Sequence, residues 1–404
     1  MRNSKDRIEV SHVGSLPRSP ELIAANKRRK EEGRRFEGFE DVIANAVGDV
    51  VQKQKDVGVT IPNDGEYGHA MSGNVDYGAW WSYSFHRLGG TEMREGALLK
   101  VVGGSSPGTD IRLSSFADRR DWNIFKDAYQ DPSAGIALGE TAGEAFPFVV
   151  GPLTYTGQDE IKADVANLKA ALDAAGFEDG FMTAVSPGSA SRIGNEYYKT
   201  EEEFIYACAD AMREEYKAII DGGLILQIDD PSIAENFDQI VPEPEIEDYR
   251  TFTQIRVEAL NYALRDLPSD RIRFHLCWGS WHGPHTTDIE FRHIVDLMLQ
   301  INADAYTFEA ANARHEHEWK IWEDVKPPEG KVILPGIVSH ATNVVEHPEL
   351  VADRIERFAK LVGRENVIAS TDCGLGGRIH PHIAWAKLEA LAQGADIATK
   401  RLWA

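Results

Sequence analysis

Cysteine is scarce in this chain, three in 404 residues, and positive charge is short: 43 Lys and Arg stand against 65 Asp and Glu, a formal net charge of -22. Three thiols, an odd number in so long a chain, make no disulfide framework, so each is packing, a free thiol or a metal ligand. The deficit of basic residues argues against a nucleic-acid binder, which needs clustered Lys and Arg to displace counterions from phosphates, and an anionic membrane surface would repel the chain. No run approaches the roughly 20 apolar residues that span a bilayer. The opening residues MRNSKDRIEVSHVGSLPR lack the apolar core of a signal peptide, so a cytoplasmic location is expected. Linkers, repeats and low-complexity runs are missing too. What remains is an ordinary globular composition, 42% hydrophobic and 27% charged, which is ample for a core.

Short β-branched runs alternate with amphipathic stretches. Nine candidate strands fall at 8–15, 57–64, 146–152, 179–186, 223–230, 272–279, 303–310, 331–339 and 366–374. Helices are expected near 40–57, 159–175, 201–221, 246–265, 286–300, 347–362 and 381–396. The third starts with a capping box of Thr200 and Glu203, and Phe204, Cys208, Ala211, Met212 and Ile219 recur at helical spacing, which assigns Cys208 to core packing. Such alternation over this length predicts a parallel sheet closed into a (β/α)8 TIM barrel, one catalytic domain over 1–404. Nine strands are one too many, and the N-terminal run or 179–186 is expected to lie outside the barrel. A long insert after an early strand, about 68–145, breaks the rhythm and reads as a lid or subdomain.

Catalytic groups of such barrels stand at the C-terminal ends of the strands. Here those ends carry Ser15, Asp64 and Glu66, Asp229 and Asp230, His275 and Cys277, Glu309, His340, and Asp372 with Cys373; ten of the thirteen histidines lie between 275 and 382. His275 and Cys277 are two apart on one strand and so point to one side, as a ligand pair must. With Glu309 and Cys373 they form a donor set suited to Zn²⁺, which accepts N, S and O tetrahedrally. A set this rich in negative charge favours a metal-bound thiolate that stays nucleophilic over a strongly acidic water. The competing reading is that His275 and Cys277 pack the interior and the other two residues are unrelated.

The motifs HVGSLPR, NDGEYGH, VVGPLT, LQIDDP, FHLCWG, TFEA and STDCGLGGR, in that order, resemble the catalytic half of cobalamin-independent methionine synthase and its relatives, among them single-barrel homocysteine methyltransferases and epoxyalkane:coenzyme M transferases. The resemblance covers nearly the whole chain outside the 68–145 insert. It implies that His275, Cys277, Glu309 and Cys373 hold zinc and that a thiol acceptor, most simply homocysteine, is alkylated as its zinc-bound thiolate. It further implies that Ser15 lies where backbone groups hold the amino-acid carboxylate, and that Glu66 and Asp229 hold the ammonium. The synthase has a catalytic histidine after a Gly-Val-x-Asp stretch; this chain reads GIVSHATN, which makes His340, displaced by one position, the candidate general acid. Asp230 stands where the synthase has Glu. There is no room for the synthase's N-terminal half, so the methyl donor is left open among a folate, a methylcobamide and a small methylated metabolite.

Several features admit bland readings. In RHEHE (314–318) a solvated helix start outweighs a metal site, because histidines two apart on a helix face apart. WHGPH (281–285) either reaches the mouth or packs a loop. CGLGGR (373–378), with Arg378, has the makings of an anion loop. Trp80, Trp81 and Tyr83 either stack on a pterin or close a lid. The sequence therefore points to a zinc-dependent methyltransferase acting on small molecules, with no nucleic-acid or membrane partner and homo-oligomer formation left open. An epoxide:thiol alkyltransferase is the alternative within the superfamily; dependence on Arg18 or Arg378 would favour its sulfonate thiol. A metal-free uroporphyrinogen decarboxylase-like lyase and a non-enzymatic protein with a closed structural zinc are the alternatives outside it.

Overall fold

A run with apolar residues on both alternations has no side to show to water and must be covered on both faces. The computed structural model, which describes residues 3–32, 36–71, 79–95, 111–113, 119–136 and 145–404, turns nearly every such run into a buried parallel strand. Ten strands occur among the described residues: β1 (Glu9–Val10), β2 (Leu88–Glu95), β3 (Ala145–Tyr155), β4 (Phe181–Val185), β5 (Gly194–Asn195), β6 (Ile225–Asp230), β7 (Ile272–Leu276), β8 (Ala305–Phe308), β9 (Val332–Val338) and β10 (Ile368–Thr371). Seven form one parallel sheet in the order β1-β10-β9-β8-β7-β6-β4.

The gap between β1 and β4 is filled by residues 59–63. Thr60 and Ile61 donate their N–H groups to the Val10 carbonyl at 2.9 and 3.0 Å, and Asn63 bridges to Phe181 in parallel sense. Eight parallel passes thus close the expected barrel. Ile61, Phe181, Ile225, Ala305, Val332, Leu334 and Ile368 form a separate apolar cluster, drawn from six of these strands and so filling the inside.

The surplus strand is neither of the two suspected. The N-terminal run and 179–186 both belong to the barrel, as β1 and β4, whereas the run at 146–152 forms β3, which pairs antiparallel with β2 and parallel with β5 in a small outer sheet. Its exposure explains the difference: Val149 is fully buried but Val150 is 41% exposed, a one-sided strand.

Around the barrel run the helices Phe39–Asp56, Gln158–Ala175, Glu201–Asp221, Ile246–Ala263, Pro348–Val362 and Pro381–Leu402. The helix Glu201–Asp221 buries Phe204, Cys208, Ala211, Met212 and Ile219, and burial pushes the Cys208 thiol up. Thr200 caps it by accepting the Glu203 N–H at 3.1 Å, but Glu203 reaches back to the N–H of Lys199 rather than that of Thr200. The helix expected at 286–300 shrinks to a 3-10 turn at Phe291–His293 and one helical turn at Val295–Leu299. Thr286, Thr287 and Asp288 spend their polar atoms on Asp121, Asp238, His285 and His315, which holds that stretch out of the helix.

Of the 68–145 insert, the described parts are the helix Ala79–His86, β2 and two short helices, Arg120–Ile124 and Lys126–Gln130. Arg87 ties it down: its buried guanidinium meets Glu160 at 3.2 Å, Asp164 at 2.6 Å and Glu215 at 3.1 Å. No described helix is long and apolar enough to cross a membrane.

Candidate metal centre and thiol pocket

Parallel strands deliver their terminal side chains to one mouth. His275 near the end of β7, Cys277 just beyond it and Cys373 just beyond β10 bring one imidazole nitrogen and two sulfurs within 4.8 Å of one another. The sulfurs are 3.8 Å apart. That is far from the roughly 2.05 Å of a disulfide, and it is the separation of two sulfurs each about 2.3 Å from one tetrahedral ion. Both ring nitrogens of His275 are buried without a well-formed hydrogen bond, although such a ring normally satisfies at least one. The donors therefore fit a soft divalent ion. Within the pair, the hydrogen bond with Cys277 holds the Cys373 sulfur well below the ordinary thiol range.

Glu309, one residue past β8, groups with His340 and Asp372, their ligand atoms again within 4.8 Å of one another. The Glu309 carboxylate accepts the Trp278 N–H at 3.1 Å and the Asn312 amide at 2.8 Å, and burial pushes its carboxyl up to about 8. Asp372 accepts the N–H groups of Ala310 and Ala311 at 2.7 and 2.8 Å. Gly336 on β9 leaves room for that carboxylate: a Cβ there would stand 2.0 Å from Asp372 Oδ1. His340 lies two residues past β9, buried, with no partner for Nδ1. Burial lowers its pKa to about 3. Its carbonyl accepts from His282 Nε2 at 3.1 Å, so WHGPH does reach the mouth.

On the opposite arc stand Ser15, Glu66 and Asp229. Glu66 has a φ of 59°, unusual for a residue with a side chain, and its carboxylate lies where Gly14 has no Cβ: an added carbon would be 2.1 Å from Glu66 Oε1. Asp229 accepts from the Gln227 amide at 2.7 Å; burial, then the nearby Glu66, raises its carboxyl well above the usual range. Two neighbouring buried carboxylates disfavour joint ionisation, and the positive partners nearby are Arg273, which acts on Asp229, and His69, 3.7 Å from Glu66 and charged only when protonated. The Ser15 carbonyl accepts the N–H groups of Leu375 and Gly376, and its hydroxyl receives Arg18 at 2.7 Å. Beneath them Arg273 is wholly buried, bonded to Gln227, Ser11 and His12.

Other expectations meet mixed outcomes. Arg378 is buried and bonds to Ser280 at 2.6 Å. Tyr83 is buried, accepts the Val185 N–H at 2.8 Å and stacks on His69 at 3.9 Å, while the side chains of Trp80 and Trp81 lie outside the described residues. In RHEHE, His317 is exposed but His315 is not solvated. It is buried between Glu318 at 2.8 Å and Asp288 at 3.1 Å, and Asp288 also meets His285 at 3.1 Å. Sequence reasoning missed Asp288 and Asn312, and also Glu235, which is gripped by Arg119 and Arg192 at 2.6 and 2.9 Å. For Asn312 a signal existed, because an Asn followed by helix-forming polar residues is a cap pattern.

A closed parallel barrel with thiols, an imidazole and carboxylates gathered at its mouth defines a barrel enzyme. Residues 147–397 match the family described as cobalamin-independent synthase, catalytic domain, and the chain belongs to that family. It thereby joins the methionine synthase-like methyltransferases that its motifs resemble. It is 21% identical over 399 residues to a methionine synthase of Thermococcus kodakarensis, covering 98% of this chain and 94% of that one. It is also 23% identical to the uncharacterised protein YxjH of Bacillus subtilis, covering 96% and 93%. Among solved structures, a B12-independent methionine synthase from Shewanella sp. W3-18-1, in complex with selenomethionine, shares the fold with a TM-score of 0.69 at 18% identity, covering 98% of this chain and 99% of that one.

Proposed function

We propose that this chain transfers a methyl group to the sulfur of homocysteine, giving methionine, at a zinc ion held by His275, Cys277, Cys373 and Glu309. The observation that carries the reading is the pair of sulfurs 3.8 Å apart with the buried His275 imidazole beside them. When bound, zinc makes a ligated thiol acidic enough to be a thiolate at neutral pH. The protein's own groups do the rest. Glu66 and Asp229 take the acceptor's ammonium, which settles their mutual repulsion. The backbone around Ser15, whose carbonyl is held by Leu375 and Gly376, is the place of the acceptor's carboxylate. The wall around the sulfurs is buried and so excludes water that would blunt a thiolate.

His340 is the proton donor in this reading. The proton lost by the acceptor thiol would pass to His340 Nδ1 and from there to the departing donor, and because burial disfavours the charged ring it would hold that proton only in transit. The donor is a methylated folate, methylcobamide or smaller methyl compound entering above the sulfurs, and the folate is the first to test. A sulfonate thiol would meet the Glu66 and Asp229 carboxylates, which disfavours the epoxide:coenzyme M alternative. A metal-free decarboxylase would have no use for two adjoining thiols.

The test is zinc content of the purified chain, then zinc-edge absorption with and without homocysteine. About one zinc per chain, with a sulfur count rising from two to three, is expected. Absent zinc, or a shell indifferent to homocysteine, would overturn the proposal.

A further inference from the structure

Asn312 lies three residues past Glu309 and is fully committed. Its Oδ1 accepts the N–H groups of Arg314 and His315, both at 3.0 Å, and its Nδ2 donates to Glu309 Oε2 at 2.8 Å and to Asp372 Oδ2 at 3.2 Å. The two backbone donors settle which end of the amide is oxygen, so the nitrogen must face the two carboxylates. Asp372 in turn holds the backbone of Ala310 and Ala311 and immediately precedes Cys373. One amide therefore joins the turn after β8, which carries Glu309, to the end of β10, which carries a sulfur.

We infer that Asn312 is a positioning residue for the zinc centre: through Glu309 Oε2 and Asp372 it fixes where the oxygen donor stands relative to Cys373. This rests on the zinc reading above. Each carboxylate oxygen has two lone pairs, so an oxygen held by the amide keeps one for the ion, and the bond decides which direction that lone pair faces. Without the amide Glu309 Oε2 and Asp372 Oδ2 lose the donor they share, leaving only backbone N–H groups on their other oxygens, and Glu309 is free to turn aside.

The test uses Asn312→Ser, whose hydroxyl still caps the following turn but offers no amide to the carboxylates. Zinc affinity is measured by competition with a chromophoric chelator. The cobalt-substituted chain gives visible bands that report ligand geometry independently of turnover. Loss of affinity by about 10- to 100-fold is expected, with altered cobalt bands, while the metal-free chain still unfolds in one cooperative transition. A folded Ser variant that binds zinc within about two-fold of the parent and shows the parent's cobalt bands would overturn the inference. Should that variant fail to fold, Asn312→Asp decides by the same readings, since it keeps the cap and the shape but turns the donor into a third acceptor. A parent chain that takes up no zinc would instead sink the metal reading, and this inference with it.

Discussion

Replacing Gly14 by alanine isolates the acceptor pocket from the metal. The new Cβ would lie 2.1 Å from Glu66 Oε1 and 2.9 Å from Thr183 Cγ2, and contacts under 3.0 Å do not persist. Glu66 must recoil by about 1 Å, and a displacement of that size in a positioned group costs on the order of 10²-fold. A hydrogen bond to a charged group is worth roughly 1.5–3 kcal/mol, which brackets the same figure at about 10- to 150-fold. The backbone adds its own strain, because Gly14 has a φ of 143°, and that lowers stability by about 1–3 kcal/mol. The assay is calorimetric titration of homocysteine into the zinc-loaded variant beside its thermal melt. Homocysteine affinity should fall by about two orders of magnitude while zinc content stays at the parent level. A folded, zinc-loaded variant that binds homocysteine within two-fold of the parent would refute the placement of the ammonium on Glu66.

Asp229→Asn should weaken homocysteine at least tenfold while leaving the analogue that lacks the amino group unaffected; equal losses for both would point to a packing role. Arg87→Met strands Glu160, Asp164 and Glu215 around an uncharged stem, and urea melts should show a loss of about 3–5 kcal/mol. His285 and His315 give a pH dependence. Burial alone would lower both, but Asp288 raises His285 to about 9, and Asp288 with Glu318 raises His315 to about 10. The folded chain thus keeps protons that the unfolded chain releases above about 6.5, so this stabilisation is complete below pH 6.5 and lost as pH climbs through 9 to 10. Melting temperatures should fall across that window, less steeply in His315→Gln. Gly336→Ala drives a carbon into Asp372, costing about 1–3 kcal/mol and loosening zinc, which thermal and chelator titrations read separately.

The barrel, and the meeting of His275 and Cys277 with Cys373, were legible because both rest on period and position. His275 and Cys277 share a face by alternation, and the strand ends needed only counting. Residues 57–64 also read as a strand, yet a single isolated bridge, Asn63 to Phe181, forms there, since Pro62 has no N–H to add to a ladder. The surplus strand escaped because a half-exposed apolar run and a buried one look alike until something packs on one side. His315 escaped for a different reason. Its partners Asp288 and Glu318 are 27 residues upstream and 3 downstream, and only the fold closes that triangle. Glu66 and Asp229 could be placed at the mouth, but their crowding depends on Gly14, which no local pattern marks.

The closure at residues 59–63 divides the labour of the molecule. The candidate zinc donors lie on or just past β7, β8 and β10 of the parallel ladder, with a register shift at Ser370 and Thr371 just before Cys373, while Glu66 hangs just past the sparsely bonded joint between β1 and β4. In the proposed reading the donors of the ion are thus held by neighbouring strands of one sheet. Only one of the two carboxylates for the amino acid in that reading, Glu66, is mounted on the seam; the other, Asp229, sits on β6 in register with His275. Changes to the peptide around Glu66 would therefore act at the seam, whereas changes at Gly14 and Ser15 would carry into the turn at 374–376 that follows Cys373.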